Sequence, residues 1–415
     1  MNAVPGSRLV HDAELRSRAA AVIPGGMYGH QNVAPLPPGY PQFMQRGSGA
    51  HVWDADGNQY IDLMCSYGPV VLGHRHPRVE EAVARQAAEA DCQNGPSPRM
   101  VELAEAFTRI VHHADWAIFS KNGTDATTQC LTIARAATGK RKILVATGAY
   151  HGADPWCTPN LRGVLPEDRA HLLGYRFNDL ASVEAAVQQA GDDVAGVVVS
   201  PIRHDIGVDV ELPDPEFATG LRRLCDRTGA ALILDDVRCG LRLHFGSSWE
   251  PLGVDVDLSA WSKAIANGYA LGAVVGRDWL REAAGSIYTT GSFWFGAVSM
   301  AASLATLAAL EEEGTVARMV EIGTLLRQGL AEQAADRGLE VRLSGPVQMP
   351  FMTFADDPAF ARADHFARHA ILGGVYLHPR HNWFVSGAMD EADVGRVLEV
   401  TGPAFDAAAR SGSGT

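Results

Sequence analysis

The sequence predicts an α/β protein: a large domain built on a mostly parallel sheet wrapped by helices, followed by a smaller α+β domain. Three observations carry that prediction. Apolar runs in the middle of the chain are continuous rather than alternating, as in strands covered on both faces. Helical patterns separate them, each closed by a glycine, the usual left-handed stop. Past residue 296 the pattern turns to long helices followed by short strands, which marks a second domain.

Taken in order, the chain opens with "MNAVPGSRLVHDAELRSR", which lacks the apolar core of a signal peptide, and no run of about 18 apolar residues follows. Nothing is expected to span or anchor to a membrane. Pro and Gly are frequent between Pro24 and Gly49, so this arm reads as extended chain packed on something else. The strand candidates are "WAIF" 116–119, "KILVAT" 142–147, "AGVVVS" 195–200, "AALILDD" 230–236 and "GAVVG" 272–276. Between them lie "TDATTQCLTIARAATG", with Ala126, Cys130, Ile133, Ala134 and Ala137 on one stripe, then "LASVEAAVQQAG" and "PEFATGLRRLCDRTG". The C-terminal pattern is "AVSMAASLATLAALEEEG" and "VARMVEIGTLLRQGLAEQAADRG", then the short strands "PFMTF" and "WFVSG". "SGSGT", 411–415, reads as a frayed end. The expected division is 1–60 for an arm packing with the small domain, 61–298 for the large domain and 299–415 for the small one.

A formal charge of −13 argues against a nucleic-acid or anionic-membrane surface, since both need clustered Lys and Arg. Small-molecule chemistry is expected instead. The six cysteines, at 65, 92, 130, 157, 225 and 239, form no CxxC pair and are too sparse for a disulfide framework, which fits a reducing cytoplasm.

In a doubly wound sheet, ligands sit beyond the carboxyl ends of the strands. After "WAIFSK" comes Asn122-Gly123-Thr124, directly before a helix. A glycine, a hydroxyl and open N–H groups at a helix start suit a phosphate; the same residues suit a plain N-cap, with Thr124 or Asp125 accepting N–H bonds. "KILVATGAYHG" ends in Tyr150 and His151, a flat aromatic face that fits either a stacked ring or half-buried packing. "AALILDD" delivers Asp235 at the end of an apolar strand, where a carboxylate needs a cationic or N–H partner. A heterocyclic N–H⁺ would serve, and so would Arg238 or Arg242. Lys263 follows 28 residues later among Ala260, Trp261, Ala264 and Ile265, where desolvation would lower its pKa toward a usable nucleophile. Together these are the four requirements of pyridoxal phosphate: an anchor, a stacking face, a carboxylate on the ring nitrogen and a Schiff-base lysine.

The sequence resembles the fold-type I, class III pyridoxal-phosphate aminotransferases, and among them the glutamate-1-semialdehyde 2,1-aminomutase branch. The matching blocks, in order, are "IPGG" 23–26, "GAHVWDADGNQYIDL" 49–63, "YGPVVLGHRHP" 67–77, "NGTDA" 122–126, "YHG" 150–152, "DDVRCGLR" 235–242, "WSKAIANG" 261–268, "MAASLATL" 300–307 and "GVYL" 374–377. The resemblance implies a seven-stranded sheet of that fold type and a homodimer with shared active sites. It also implies phosphate contacts from Asn122, Gly123 and Thr124, ring contacts from Tyr150, His151 and Val237, Asp235 on the pyridine nitrogen and Lys263 as the Schiff-base lysine. Asp205 falls where the family has an asparagine or glutamine near the cofactor's phenolic oxygen. Ser292 falls where the family has a threonine reaching the neighbouring subunit's phosphate, and its hydroxyl can still donate.

The departures bear on substrate. The aminomutase arginine that holds the substrate carboxylate falls on Asn32, which removes a bidentate contact and makes glutamate 1-semialdehyde an unfavourable substrate. Tyr67, Arg203 and His204 are further substrate candidates, Arg203 and His204 serving equally as parts of a surface salt bridge. Phe293, Trp294, Phe295 and Gly296 replace the usual "GNP" and could line a pocket or pack at a subunit interface. "PWCTPNLRGVLPED", 155–168, could be a lid or an ordinary surface loop.

Nucleotide-binding glycine motifs are absent, and His365 and His369, spaced as a helical metal pair, lack the accompanying glutamate and fit an amphipathic surface helix, so no metal is expected. Retention of Asp235 and Lys263 argues against a non-catalytic scaffold. The expected activity is amino transfer between an amino acid or amine and a keto or aldehyde acceptor; an aminomutase or racemase would use the same parts.

Overall fold

The computed structural model describes residues 9–411. All of "SGSGT" except Ser411 lies outside the described residues. Contacts divide the chain into two units. The first takes the described residues up to His76, Ile206–Val210 and those from Ala317 on; the second takes Pro77–Asp205 and Glu211–Val316. The divisions thus fall at 76/77 and 316/317 rather than at 60/61 and 298/299. Residues 61–76 lie with the first unit because strand Gln59–Asp62 pairs with Val375–Tyr376, and helix Ala297–Glu312 stays with the second because it packs on Pro77–Glu89 and Arg99–Ile110.

The first unit opens with α1 (Val10–Val22), β1 (Met44–Ser48), β2 (His51–Asp54) and β3 (Gln59–Asp62). The second runs α2 (Pro77–Glu89), α3 (Arg99–Ile110), β4 (Trp116–Ser120), α4 (Gly123–Thr138), β5 (Lys142–Ala146), β6 (Leu172–Tyr175), α5 (Leu180–Ala190), β7 (Val194–Val199), α6 (Pro215–Thr228), β8 (Ala231–Asp235), β9 (Leu258–Trp261), β10 (Gly272–Gly276), α7 (Arg281–Ser286) and α8 (Ala297–Glu312). After α9 (Thr315–Ala335), the first unit is completed by β11 (Val341–Ser344), β12 (Phe351–Phe354), α10 (Ala361–Leu372), β13 (Val375–Tyr376) and α11 (Glu391–Ser411).

In the second unit seven strands lie in the order β4-β10-β9-β8-β7-β5-β6, parallel except that β10 runs against both neighbours. Every residue of β7, β8, β9 and β10 is buried, as continuous apolarity required. Helices α4, α5 and α6 end at Gly139, Gly191 and Gly229, whose φ values of 66°, 65° and 66° are open to glycine at no steric cost.

The first unit carries the sheet β1-β2-β3-β13 and the hairpin β11-β12. "WFVSG" 383–387 is not a strand there. Its N–H groups are shared among separate stretches, Trp383 to Pro350 O and Val385 to Gln348 O on one side, Phe384 to Leu63 O and Gly387 to Val71 O on the other, so it joins no strand ladder. Helix α10 buries Ala363, Phe366, Ala367, Ala370 and Ile371, and His369 Nδ1 donates to the carbonyl of His365, 3.0 Å away. Among the described residues no helix is long and apolar enough to cross a membrane, and no cluster of His, Cys, Asp or Glu is set to hold a metal ion.

Candidate active site

The carboxyl ends of β4, β5, β7, β8 and β9 point the same way, and the residues singled out above follow them. Pairing of β8 with β9 sets Asp235 opposite Ala260, three residues before Lys263. The chain turns sharply there. Lys263 takes a left-handed φ of 51°, a conformation that costs a non-glycine residue of the order of 1 kcal/mol and is held only where surroundings dictate it. Those surroundings are rigid: Trp261, Ala264, Ile265 and Ala266 are buried, and Ser262 Oγ donates to Leu271 O at 2.7 Å. Gly240 lies so close to the Trp261 ring that a Cβ there would stand 2.3 Å from it.

Burial pushes the Lys263 amine down from 10.5 to about 7, and the nearby guanidinium charges of Arg238 and Arg242 push the same way against the pull of Asp235. The chain has four lysines, at 121, 140, 142 and 263. Lys121 donates to Ala270 O and Ser299 Oγ, Lys140 to Thr228 O and Lys142 to Ala190 O. Lys263 alone makes no hydrogen bond among the described residues. With so few lysines, an unbonded one is itself a signal of function carried by the sequence.

Asp235 is buried, and its partners are neither Arg238 nor Arg242. His151 Nδ1 donates to Oδ2 at 2.6 Å, and the Val237 N–H donates to Oδ1 at 3.2 Å. Because a carboxylate only accepts, Nδ1 carries the hydrogen. Both bonds are charge-assisted and fix the plane of the carboxylate, leaving each oxygen a lone pair for a further donor. Tyr150 precedes His151 and keeps 41% of its surface exposed, so a ring face is open to a ligand; burial of the rest raises its phenol pKa.

At the end of β4, Asn122 is the N-cap of α4. Its Oδ1 accepts the Asp125 N–H at 3.1 Å, while Asp125 Oδ2 accepts the Asn122 N–H at 3.1 Å, a reciprocal capping box. Capping therefore falls to Asn122 and Asp125, not to Thr124. That leaves the N–H groups of Gly123 and Thr124 without partners among the described residues at the positive end of a 16-residue helix. Thr124 Oγ1 accepts the Ala153 N–H at 3.1 Å, so its own hydrogen is available to an anion. A Cβ on Gly123 would sit 2.7 Å from Val237 Cγ1, which shows how closely the cradle and the residue after Asp235 approach.

The remaining expected residues divide. Asp205 lies over the turn leading to Tyr150, 3.1 Å from where a Cβ on Gly148 would be, and accepts from Arg203 Nε at 2.9 Å. Arg203 also pairs with Glu211 at 3.6 Å, so the salt-bridge reading holds for it, and His204 beside it is buried. Ser292 is exposed and makes no hydrogen bond among the described residues, and Phe293 beside it is 67% exposed. The 155–168 segment is mostly exposed and tied at its base by Arg169, which donates to Pro155 O and Thr158 O. Asn32 and Tyr67 belong to the first unit. Asn32 spends its amide on Met27 O and on the Ala34 N–H, and Tyr67 donates to His30 O at 3.0 Å.

An unpaired dehydrated amine, a planar-held carboxylate, an open aromatic face and a helix start with two open N–H groups fit pyridoxal phosphate. Comparison with known proteins agrees. The family model described as aminotransferase class-III matches residues 36–383. The aminopentol aminotransferase of Sphingopyxis macrogoltabida is 48% identical over 96% of this chain and 94% of its own. The glutamate-1-semialdehyde 2,1-aminomutase of Myxococcus xanthus is 34% identical over 97% of this chain and 99% of its own. The structure of the FumI protein of Sphingopyxis sp. MTA144, in its PLP internal aldimine form, superposes with a TM-score of 0.96 at 47% identity, covering 97% of each chain.

Proposed function

Because the chain belongs to the class-III aminotransferases, pyridoxal-phosphate enzymes that move an amino group from a small-molecule donor to a carbonyl acceptor, we propose that Lys263 and Asp235 carry its chemistry. The observation that supports this most is the adjacent placement of the two residues at the ends of β8 and β9, one a carboxylate held in plane and the other the unpaired amine. Pyridoxal phosphate supplies an electron sink for the pair left when the substrate carbon loses its proton. Lys263 Nζ would hold the cofactor by its aldehyde group, and when not so engaged the same nitrogen would take and return the substrate's proton. Its pKa of about 7 suits both duties near neutral pH. Asp235 would accept a hydrogen bond from the protonated pyridine nitrogen and keep that proton in place. Gly123 and Thr124 would hold the phosphate with N–H and O–H donors, Asn122 caps that turn, Tyr150 and Val237 would contact the ring, Asp205 stands nearby over the Gly148 turn, and His151 supports Asp235 from its buried side.

Ser292 on an exposed loop supports a homodimer in which that hydroxyl serves the neighbouring copy's phosphate. Six free cysteines support a reducing, cytoplasmic setting. For the donor we favour an amine on a hydroxylated chain. Asn32 stands where the aminomutase arginine would hold a carboxylate, Arg203 is engaged by Asp205 and Glu211, and the 48% identical relative is named for an aminopentol. Within the second unit, His204 is the remaining candidate for touching it.

The test is turnover with a hydroxylated amine in the presence and absence of pyruvate or 2-oxoglutarate. Ping-pong kinetics that require the keto acid support transfer. Product from one substrate alone would establish isomerisation instead.

A further inference from the structure

Three threonines of α4 hold the segment that follows Tyr150. Thr124, Thr127 and Thr128 stand at i, i+3 and i+4, on one helix face. Thr124 Oγ1 accepts the Ala153 N–H at 3.1 Å, and Thr127 Oγ1 donates to His151 O at 2.8 Å. Thr128 Oγ1 accepts the indole N–H of Trp156 at 2.9 Å and donates to Asp154 Oδ2 at 2.8 Å. Between these ties Gly152, at φ 132°, passes so close that a Cβ would stand 2.5 Å from Thr124 Oγ1.

Trp156 is thereby locked in place. Its ring lies over that of His151, centroids 6.1 Å apart and planes within 13°. Its body packs on the apolar cluster that includes Ala126, Cys130 and Ile133. His151 needs such a neighbour. It makes one ring hydrogen bond, Nδ1–H to Asp235, while Nε2 is buried with no hydrogen-bond partner among the described residues. A single bond leaves the ring free to tilt about its own axis, and a flat face laid against it removes that freedom.

We propose that Trp156 is a positioning residue of the cofactor pocket: its stack on His151 fixes the imidazole plane that aims Nδ1–H at Asp235. The threonine row ties that stack to the helix whose first turn offers the phosphate cradle. One helix therefore sets both ends of the pocket, the anchor directly and the carboxylate through Trp156 and His151. The proposal rests on the pyridoxal-phosphate reading of the pocket, and its test is chosen to fail separately.

Three variants separate the parts. Trp156→Leu removes the flat face, Trp156→Phe keeps a flat face without the N–H, and Thr128→Val keeps Trp156 but removes its tether. In the cofactor-free protein, a proton held between imidazole and carboxylate at 2.6 Å gives a far-downfield proton resonance, assigned by its loss in His151→Asn. That resonance is expected in the native protein and Trp156→Phe, and broadened away in Trp156→Leu. In the loaded protein, release of pyridoxal phosphate into a trapping apo-protein is expected to be about tenfold faster for Trp156→Leu, the scale on which groups that orient a ligand's holder act. Trp156→Phe is expected to release within about threefold of native, and Thr128→Val between the two. Thermal melts establish that each variant folds. A folded Trp156→Leu with native resonance and native release overturns the proposal; should that variant not fold, Thr128→Val with both native values overturns it. A native protein that takes up no pyridoxal phosphate sinks the functional reading alone, while the resonance still reports on the stack.

Discussion

Lys263 is one of four lysine amines open to an acylating reagent, and the only one of them whose pKa is pushed down as far as about 7. The perturbation is pH itself, applied to the cofactor-free protein. At pH 7 about half of the Lys263 amines are neutral, against about 4 in 10,000 for a lysine of ordinary pKa near 10.4, roughly a thousandfold advantage in nucleophile. Between pH 6 and pH 9 its neutral fraction rises about tenfold and then levels, whereas that of an ordinary lysine rises about a thousandfold without levelling. Competitive labelling with trace acetic anhydride, followed by mass spectrometry of the four lysine peptides, reads each curve separately. A plateau for Lys263 by about pH 8 is predicted; a curve still climbing at pH 10 would show that burial does not depress this amine, and the reasoning from its neighbours would fall.

Further consequences are open to the same kind of check. Folded-state depression of the Lys263 pKa means that the penalty for burying its charge is fully present below pH 7 and disappears as pH rises toward 10.5; Lys263→Met should therefore stabilise the cofactor-free protein by a few kcal/mol in denaturant melts at pH 6 and by little at pH 10, and equal effects at both would contradict the sign. Asp235→Asn keeps the size but loses the charge, so kcat should fall at least about 100-fold while the cofactor stays attached; near-native kcat would remove Asp235 from the mechanism. Gly123→Ala puts a methyl 2.7 Å from Val237 Cγ1, and the displaced valine should cost about 1–3 kcal/mol in thermal stability together with weaker cofactor binding, measured by calorimetry; an unaffected variant would mean the cradle is looser than its geometry.

Much of this site was legible because it lies where physics writes plainly in sequence. The apolar runs leading to Asn122, Tyr150 and Asp235 have no solvent face, so their continuity signals strands and their ends mark the mouth of the sheet. Lys263 stood out because a lysine between Trp261 and Ile265 contradicts its surroundings. The rest depended on what pairs with what. Strand β9 is four residues of "LSAW", too short to announce itself beside longer runs, and β6 includes a glycine; only the ladder reveals them. The partner of Asp235 could not be chosen from sequence among Arg238, Arg242 and a ligand, and the structure supplies a fourth answer, His151, 84 residues away. Trp156 and the threonines of α4 were invisible for the same reason, since each acts through a neighbour that is distant along the chain. "WFVSG" misled because its apolar run reflects burial among several segments rather than a place in one sheet.

The claim on which the account turns is that Lys263, rather than any other amine, receives the cofactor. Borohydride reduction of the loaded protein, followed by digestion and mass spectrometry, tests it directly, and four lysines make the answer unambiguous. The account predicts one phosphopyridoxyl group on the peptide containing Lys263 and none after Lys263→Ala. A group fixed on Lys121, Lys140 or Lys142 in the native protein, or retained in the Lys263→Ala variant, would contradict it.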